Sequence, residues 1–237
     1  MILAAHQPAY LPWLGLFHKM AISDNFVVLD DVQFEKNSFI NRNRIKTAQG
    51  DMWLTVPVLM TGHIQKTIHD IEINNNVDWR SKHWKSIYLN YKKSPYFNRF
   101  SDFFEDLYKG EWIKLYDLLD YTMSFFIKEL KIDTKIYIQS KLNITTKKQL
   151  LILDLCKHFN AKIFVFGALG KDYADSELFE TNGIKILFQD YKHPAYHQLW
   201  GGGFISNMSI IDLLFNEGER SFEILMSGNI NKENLQI

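Results

Sequence analysis

The chain opens on an apolar run, a helical pattern and a second apolar run. The runs at 2–5 and 26–29 have the length of buried strands, and the segment from about 14 to 22 repeats its apolar residues at helical spacing. A third strand is predicted over 53–58, where it ends near its proline, because proline cannot donate to a central ladder.

The alternation of strand and helix returns in the C-terminal part of the chain. Strands are predicted at 136–138, 162–166 and 184–188. The first helix between them follows Thr145 or Thr146 as its cap, and the second covers 176–181. Such alternation indicates a parallel sheet with right-handed crossovers.

The middle of the chain follows a different pattern. Between about residues 77 and 130 the strand signal is absent, and aromatic residues recur at helical spacing. We therefore predict an α/β fold, a Rossmann-like, mostly parallel sheet with helices on both faces and a helical, aromatic-rich insertion. A single domain is expected over 1–225, with the insertion at about 77–130 and a polar, frayed C-terminal tail at 226–237.

Composition narrows the class of protein. The 237 residues contain 27 basic and 27 acidic side chains, so no global field favours nucleic acid as a partner. The single cysteine, Cys156, excludes an intramolecular disulfide and a cysteine-based zinc site, and we predict no metal. No run resembles a signal peptide or approaches the ~20 apolar residues of a membrane span, so we expect a cytoplasmic protein without a membrane span.

Polar clusters follow the first two predicted strands. His6 and Gln7 come after the first, and Asp30 and Asp31 after the second. Ligands of parallel α/β proteins lie beyond the carboxyl ends of the strands, so a site is expected here. Adjacent strand residues point to opposite sides, so only one aspartate can face the crevice of His6, and we choose Asp31. A solvated carboxylate is the alternative. Gln33 has two donors and an acceptor, which suits sugar hydroxyl groups.

The segment 41–46 gives the strongest binding signal. Arg42 and Arg44 alternate with neutral polar side chains, and planar guanidinium groups bind phosphate oxygens in pairs. We predict that they bind a pyrophosphate together with Asn41 and Lys46. A solvated basic edge strand is the alternative. Tyr10, in the loop after the first strand, is either a substrate contact or structural.

Three residues of the C-terminal part complete the set of candidates. His193 and Gln198 follow the last predicted strand, where His193 is a second acid–base candidate and Gln198 a substrate contact, with a structural loop as the alternative. Asp212 lies on a final helix that starts at Asn207 or Ser209 and is closed by Gly218, and we expect it to face solvent or to cap.

Five blocks resemble the WbqC-like proteins of bacterial O-antigen and amino-sugar pathways. They are HQPAYLPWLG at 6–15, DDVQFEKNSFINRNRIK at 30–46, WLTVPV at 53–58, HPAYHQ at 193–198 and FISNMSIIDLLFNEG at 204–218. The resemblance implies a transferase that moves an acyl or aminoacyl group, such as glycyl, to the amine of a nucleotide-linked amino sugar. No tightly bound cofactor is expected, and the donor is acyl-CoA or an acyl or aminoacyl carrier protein.

For such a reaction His6 is the leading base candidate. A neutral imidazole with a pKa near ~6.5 can accept the proton that the attacking amine loses, and Asp31 can orient the ring or hold the amine. The alternative is that His6 ties down its loop through a backbone hydrogen bond. Cys156 lies within an amphipathic helical pattern, so we expect a buried thiol and direct attack of the amine rather than an acyl-enzyme.

Two other functions fit the early pattern. A strand, a loop with a histidine and a glycine, a helix and a later aspartate also occur in nucleotidyltransferases of the HIGH type, although the second histidine of that motif is absent at the required spacing. A non-catalytic subunit that binds a sugar nucleotide or a carrier protein is the other alternative. The sequence does not indicate the oligomeric state.

Overall fold

The computed structural model describes residues 1–235, apart from the side chain of His63. The strands are β1 (Ile2–His6), β2 (Asn25–Val28), β3 (Arg42–Thr47), β4 (Gly50–Thr55), β5 (Lys135–Ile138), β6 (Ile163–Phe166) and β7 (Lys185–Phe188). The helices are α1 (Leu14–Ala21), α2 (Trp79–Tyr91), α3 (Phe97–Lys109), α4 (Leu115–Glu129), α5 (Lys148–His158), α6 (Ser176–Thr181), α7 (Ile210–Glu217) and α8 (Ser221–Met226).

Five strands form one parallel sheet in the order β5-β2-β1-β6-β7, which confirms the predicted fold class. The chain first adds β2 and β5 on one side of the central strand β1, and then adds β6 and β7 on its other side. Such a change of direction marks the place beside which α/β folds bind ligands. His6 ends β1 at this place. The remaining strands, β3 and β4, form an antiparallel hairpin.

Alternating residues of β1 contribute to two separate cores. Ile2 and Ala4 belong to the core that contains the buried aromatic side chains of α2, α3 and α4, whereas Leu3 and Ala5 belong to the core that contains α5 and α6. Because strand side chains alternate between faces, helices cover both sides of the sheet. On the first side Phe103 and Phe125 stack at 3.6 Å between ring centroids, so the aromatic residues of 77–130 form a packed layer.

Two predictions of local structure were wrong. The fourth strand covers Gly50–Thr55 rather than 53–58, because it extends only as far as its pairing with β3. Neither predicted threonine caps α5, since the hydroxyl of Thr146 donates instead to Asp154.

The prediction of a frayed C-terminal tail was also wrong, because the tail packs against the rest of the protein up to Leu235. Leu235 is buried, Lys232 forms an ion pair of 2.7 Å with Asp24, and the Ile230 carbonyl accepts from Nε2 of His18. Residues 236 and 237 of that tail lie outside the described residues.

Candidate functional site

His6 lies half-buried at the carboxyl end of β1. Its Nδ1 is 2.8 Å from the carbonyl oxygen of Gln7, which is itself half-buried. A carbonyl oxygen only accepts, so Nδ1 carries the hydrogen and Nε2 keeps its lone pair. Burial and then the charge of Lys19 lower the pKa of the imidazole to about 3. His6 is therefore a neutral hydrogen-bond acceptor at physiological pH and a weak base.

Lys19 is a charged neighbour that the sequence analysis missed. It lies on α1 with its side chain buried, and Nζ donates to the carbonyl oxygen of Ala5 at 3.0 Å. Burial lowers the pKa of this amine to about 7. The sequence did carry a signal, since α1 is apolar on most of its circumference and any charge within it is forced inward.

A line of rings leads away from His6 across the surface. His6 packs edge-on against Trp13 at 5.3 Å between ring centroids, Trp13 lies 5.5 Å from Phe39, and Phe39 lies 5.8 Å from Trp53. We call these four side chains the aromatic ladder. Phe39 and Trp53 are 43% and 44% exposed, so its far end is open to a ligand.

The two predicted arginines lie at the far end of the aromatic ladder. The guanidinium carbons of Arg42 and Arg44 are 4.5 and 5.5 Å from the ring centroid of Trp53, within cation–π range. Trp53 is paired with Arg44 across the hairpin, which explains why its ring lies beside the guanidinium groups. Arg44 also pairs with Asp51 at 3.0 Å, and Arg42 donates to the carbonyl of Asn37. Of the two guanidinium groups, that of Arg44 is thus paired with a carboxylate, while that of Arg42 bonds to a neutral carbonyl.

The other candidates on β3 and its preceding loops point into the protein. Asn41 is buried and donates to the carbonyl of Val56 at 2.8 Å. Lys46 is buried and its Nζ donates to the carbonyl of Gly203 at 2.6 Å.

Tyr10 is fully buried, with its hydroxyl 2.5 Å from that of Tyr108 and 2.9 Å from Nδ1 of His83. Burial and the contact with Tyr108 raise the pKa of the Tyr10 hydroxyl. These contacts attach the loop after β1 to the helices α2 and α3.

Asp212 was expected to face solvent or to cap, and this expectation was wrong. The carboxylate is buried, with Oδ1 accepting from the hydroxyl of Tyr91 at 2.8 Å. Oδ2 accepts from Tyr196 at 2.9 Å and from the amide of Gln198 at 2.7 Å. Burial raises the pKa of Asp212. Gln198, the predicted substrate contact, is thereby engaged with protein, and it also bonds both backbone groups of Ile205.

His193 lies beside this buried carboxylate rather than on the aromatic ladder. Its ring is 6.1 Å from that of Tyr196 and 5.7 Å from that of Phe204, and Nδ1 is 3.1 Å from the carbonyl of Pro194. Burial lowers the pKa of the His193 imidazole. His193 and Gln198 thus contact the groups around Asp212, whereas the arginines contact Trp53.

The two aspartates after β2 have opposite surroundings. Asp31, the residue chosen from the sequence, is exposed, as is Gln33. Asp30 is fully buried and accepts from the backbone N–H and the hydroxyl of Ser140 at 2.9 and 2.6 Å. Its Oδ2 also lies 3.4 Å from Nδ1 of His69, a residue that the sequence analysis missed.

The single thiol of the chain is disfavoured as a nucleophile near neutral pH. Cys156 is buried, and burial raises its pKa to about 12, so a thiolate is not available near neutral pH. Within residues 1–235, apart from the His63 side chain, no group of three His, Cys, Asp or Glu side chains could hold a metal ion. No helix in the same part of the chain has the length and apolarity to cross a membrane.

Comparison with known proteins gives two findings. The model of the WbqC-like protein family matches residues 7–224. The uncharacterized protein Rv1507c of Mycobacterium tuberculosis (strain ATCC 25618 / H37Rv) is 33% identical over 221 residues, which cover 92% of this chain and 95% of the relative. No solved structure matches the chain. The family match begins at residue 7, directly after His6 at the end of β1, and includes the hairpin and α7.

Proposed function

Since the chain belongs to the WbqC-like protein family, we propose that it transfers an acyl or aminoacyl group, such as glycyl, to the amine of a nucleotide-linked amino sugar. The product would enter O-antigen or surface polysaccharide biosynthesis. The observation that carries the proposal is the aromatic ladder, which joins a cationic surface at Arg42 and Arg44 to the carboxyl edge of the sheet at His6.

Each part of a nucleotide sugar has a complementary group on this surface. The guanidinium groups of Arg42 and Arg44 are the donors for the pyrophosphate, because planar guanidinium groups bind phosphate oxygens in pairs. The partly exposed rings of Phe39 and Trp53 suit stacking by the base. The amino sugar then extends along Trp13 toward His6.

His6 has the properties of an orienting group in this arrangement. Its free Nε2 can accept a hydrogen bond from the sugar amine, and its low pKa of about 3 keeps the ring from becoming a competing cation. The amine would attack a bound thioester directly, since burial and the raised pKa of Cys156 disfavour an acyl-enzyme. The thioester is acyl-CoA or an acyl or aminoacyl carrier protein.

The test is mass spectrometry of reactions that contain the purified protein, a UDP-linked amino sugar and one donor from a panel of acyl-CoA thioesters and charged carrier proteins. We expect the sugar nucleotide to gain the mass of one acyl group with one donor class. The N-acetylated form of the same nucleotide is the control, because its nitrogen is blocked. No mass gain with any donor contradicts the proposal, and Mg²⁺-dependent release of pyrophosphate would instead support nucleotidyl transfer.

The binding half of the proposal has its own test. Arg42→Ala should raise KM for the sugar nucleotide about 10-fold or more and leave kcat within a few-fold, because it removes charge-assisted hydrogen bonds of about 1.5–3 kcal/mol. Arg220→Ala is the matched control, since Arg220 is exposed on the surface beside α8. An unchanged KM in Arg42→Ala contradicts the placement of the phosphates.

A further inference from the structure

His69 and Asp30 form an acid–base pair at the carboxyl edge of the sheet. The Nδ1 atom of His69 is 3.4 Å from Oδ2 of Asp30, and the backbone N–H of His69 donates to the Asp30 carbonyl at 3.0 Å. The carboxylate is fully buried, whereas the His69 side chain is 53% exposed. The contact therefore leaves Nε2 of His69 as the ring nitrogen available to a ligand.

The Asp30 carboxylate is itself held in place. The backbone N–H and hydroxyl of Ser140 donate to its two oxygens at 2.9 and 2.6 Å. On the other side, the ring of Tyr116 packs against the His69 ring at 5.3 Å between centroids. The charged groups near Tyr116 include Asp117, Lys141 and Asp120, which accepts from the Tyr116 hydroxyl at 3.5 Å. A base needs this kind of fixed orientation.

The pair also lies next to the site already described. The N–H of Leu29 donates to the carbonyl of His6 at 2.9 Å, so Asp30 comes one residue after the point where the ends of β1 and β2 are tied together. Asp30 thus follows β2, the strand beside the one that ends at His6, and His69 bonds to Asp30 from a separate turn. This edge of the sheet is where parallel α/β folds carry out chemistry.

We propose that His69, oriented by Asp30, is the general base of the acyl transfer, an inference that rests on the function proposed above. The amine lone pair forms a bond to the thioester carbonyl carbon, and an amine proton passes to Nε2 of His69. Asp30 stabilises the resulting imidazolium. The C–S bond then breaks, the sulfur leaves with the bonding electrons and takes the proton from Nε2, and an amide and a free thiol remain. The cycle needs no oxidant, metal or other co-reactant.

Under this assignment His6 and His69 have different roles in the reaction. His6 has a pKa of about 3 and binds a proton too weakly to take one from an amine near neutral pH. The His69 side chain is 53% exposed, and its Nδ1 lies 3.4 Å from the Asp30 carboxylate. His6 therefore positions the amine and His69 removes its proton.

The kinetic test uses His69→Gln and Asp30→Asn in the amide-forming reaction. General base catalysis contributes about 10²–10⁴-fold, so we expect kcat to fall by at least 100-fold in His69→Gln with the Kd for the sugar nucleotide within 2-fold of wild type. Imidazole in the buffer should restore part of the rate to His69→Gly. His158→Gln is the matched control, since His158 is exposed on α5. A wild-type kcat in His69→Gln overturns the proposal.

A second measurement needs no substrate. In protein labelled with ¹⁵N-histidine, the neutral form of His69 should carry its hydrogen on Nδ1, and Asp30→Asn should shift this preference toward Nε2. A wild-type His69 with its hydrogen on Nε2 overturns the pair, whatever the activity. A protein that forms no amide with any donor but shows the Nδ1 form contradicts the acyl-transfer function and supports the Asp30–His69 pair.

Discussion

Lys19 donates to the carbonyl oxygen of Ala5 at 3.0 Å from a side chain that is almost completely enclosed. Burial lowers its pKa from an ordinary 10.5 to about 7. Between these two pH values the unfolded chain binds this proton more readily than the folded protein does, so the free energy of unfolding rises with pH across the window.

Lys19→Met should abolish this rise. At pH 7 the variant is expected to be more stable than wild type by roughly 2–4 kcal/mol, because each pKa unit corresponds to about 1.4 kcal/mol and the lost hydrogen bond offsets part of the gain. Urea unfolding at pH 7 and pH 9.5 measures the effect. Lys157→Met, at an exposed position of α5, should change neither value. A destabilised Lys19→Met at pH 7 contradicts the lowered pKa.

The ring of Trp53 packs against the guanidinium groups of Arg42 and Arg44, and we call these three side chains the ligand surface. Trp53→Ala should weaken binding of the sugar nucleotide about 10-fold, because stacking on an aromatic ring contributes roughly 1–3 kcal/mol and the guanidinium groups lose their support. Isothermal titration calorimetry measures the change. Phe222→Ala removes a partly exposed ring from α8 and should bind like wild type. Equal affinities of the two variants would remove Trp53 from the binding surface.

Asp212→Asn should destabilise the fold without touching the ligand surface. The carboxylate accepts from two tyrosine hydroxyl groups and one amide, and an asparagine turns one of its oxygens into a donor that faces another donor. We expect a loss of about 1–3 kcal/mol in thermal or urea unfolding. Asp190→Asn, at an exposed position, is the control and should be neutral. A neutral Asp212→Asn would mean that the network contributes no stability.

Gly218 closes α7 at a point where a side chain has no room. Its φ is 53°, and an added Cβ would lie 2.3 Å from the ring of Tyr96. Gly218→Ala should therefore cost roughly 2–4 kcal/mol from backbone strain and overpacking together. Gly183→Ala isolates the first cause, since Gly183 has a φ of 71° and open space around it, and about 1–2 kcal/mol is expected there. Similar Tm values for both variants would exclude the clash.

The elements with strong local signals were predictable from the sequence. The helix Ser176–Thr181 has the predicted bounds, Ser209 caps α7, and the ends of the five parallel strands fall close to their predicted positions. Apolar periodicity and capping residues act over a few positions, so a single sequence contains them.

The geometry of the site depends on contacts between distant segments. Asp212 bonds to Tyr91, which lies 121 residues away, so the apolar helix around it gave no sign of its partners. Asp30 is held by Ser140, which is 110 residues away, so the sequence could not show which of Asp30 and Asp31 is buried. Trp53 supports the arginines only through the register of the hairpin. The sequence showed which types of side chain the site contains, but not which of two neighbouring residues is buried or makes a given contact.

The strand β3, which carries Arg42 and Arg44, is held in place by hydrogen bonds to the last third of the chain. The carbonyl of Arg44 accepts from the N–H of Ser209 at 2.9 Å, and Lys46 holds the carbonyl of Gly203. The N-terminal segment therefore does not hold the geometry of these side chains by itself. A graft of residues 1–76 onto another scaffold would keep every ring and guanidinium group but lose the brace that sets their spacing, so the ligand surface can be transplanted only together with α7.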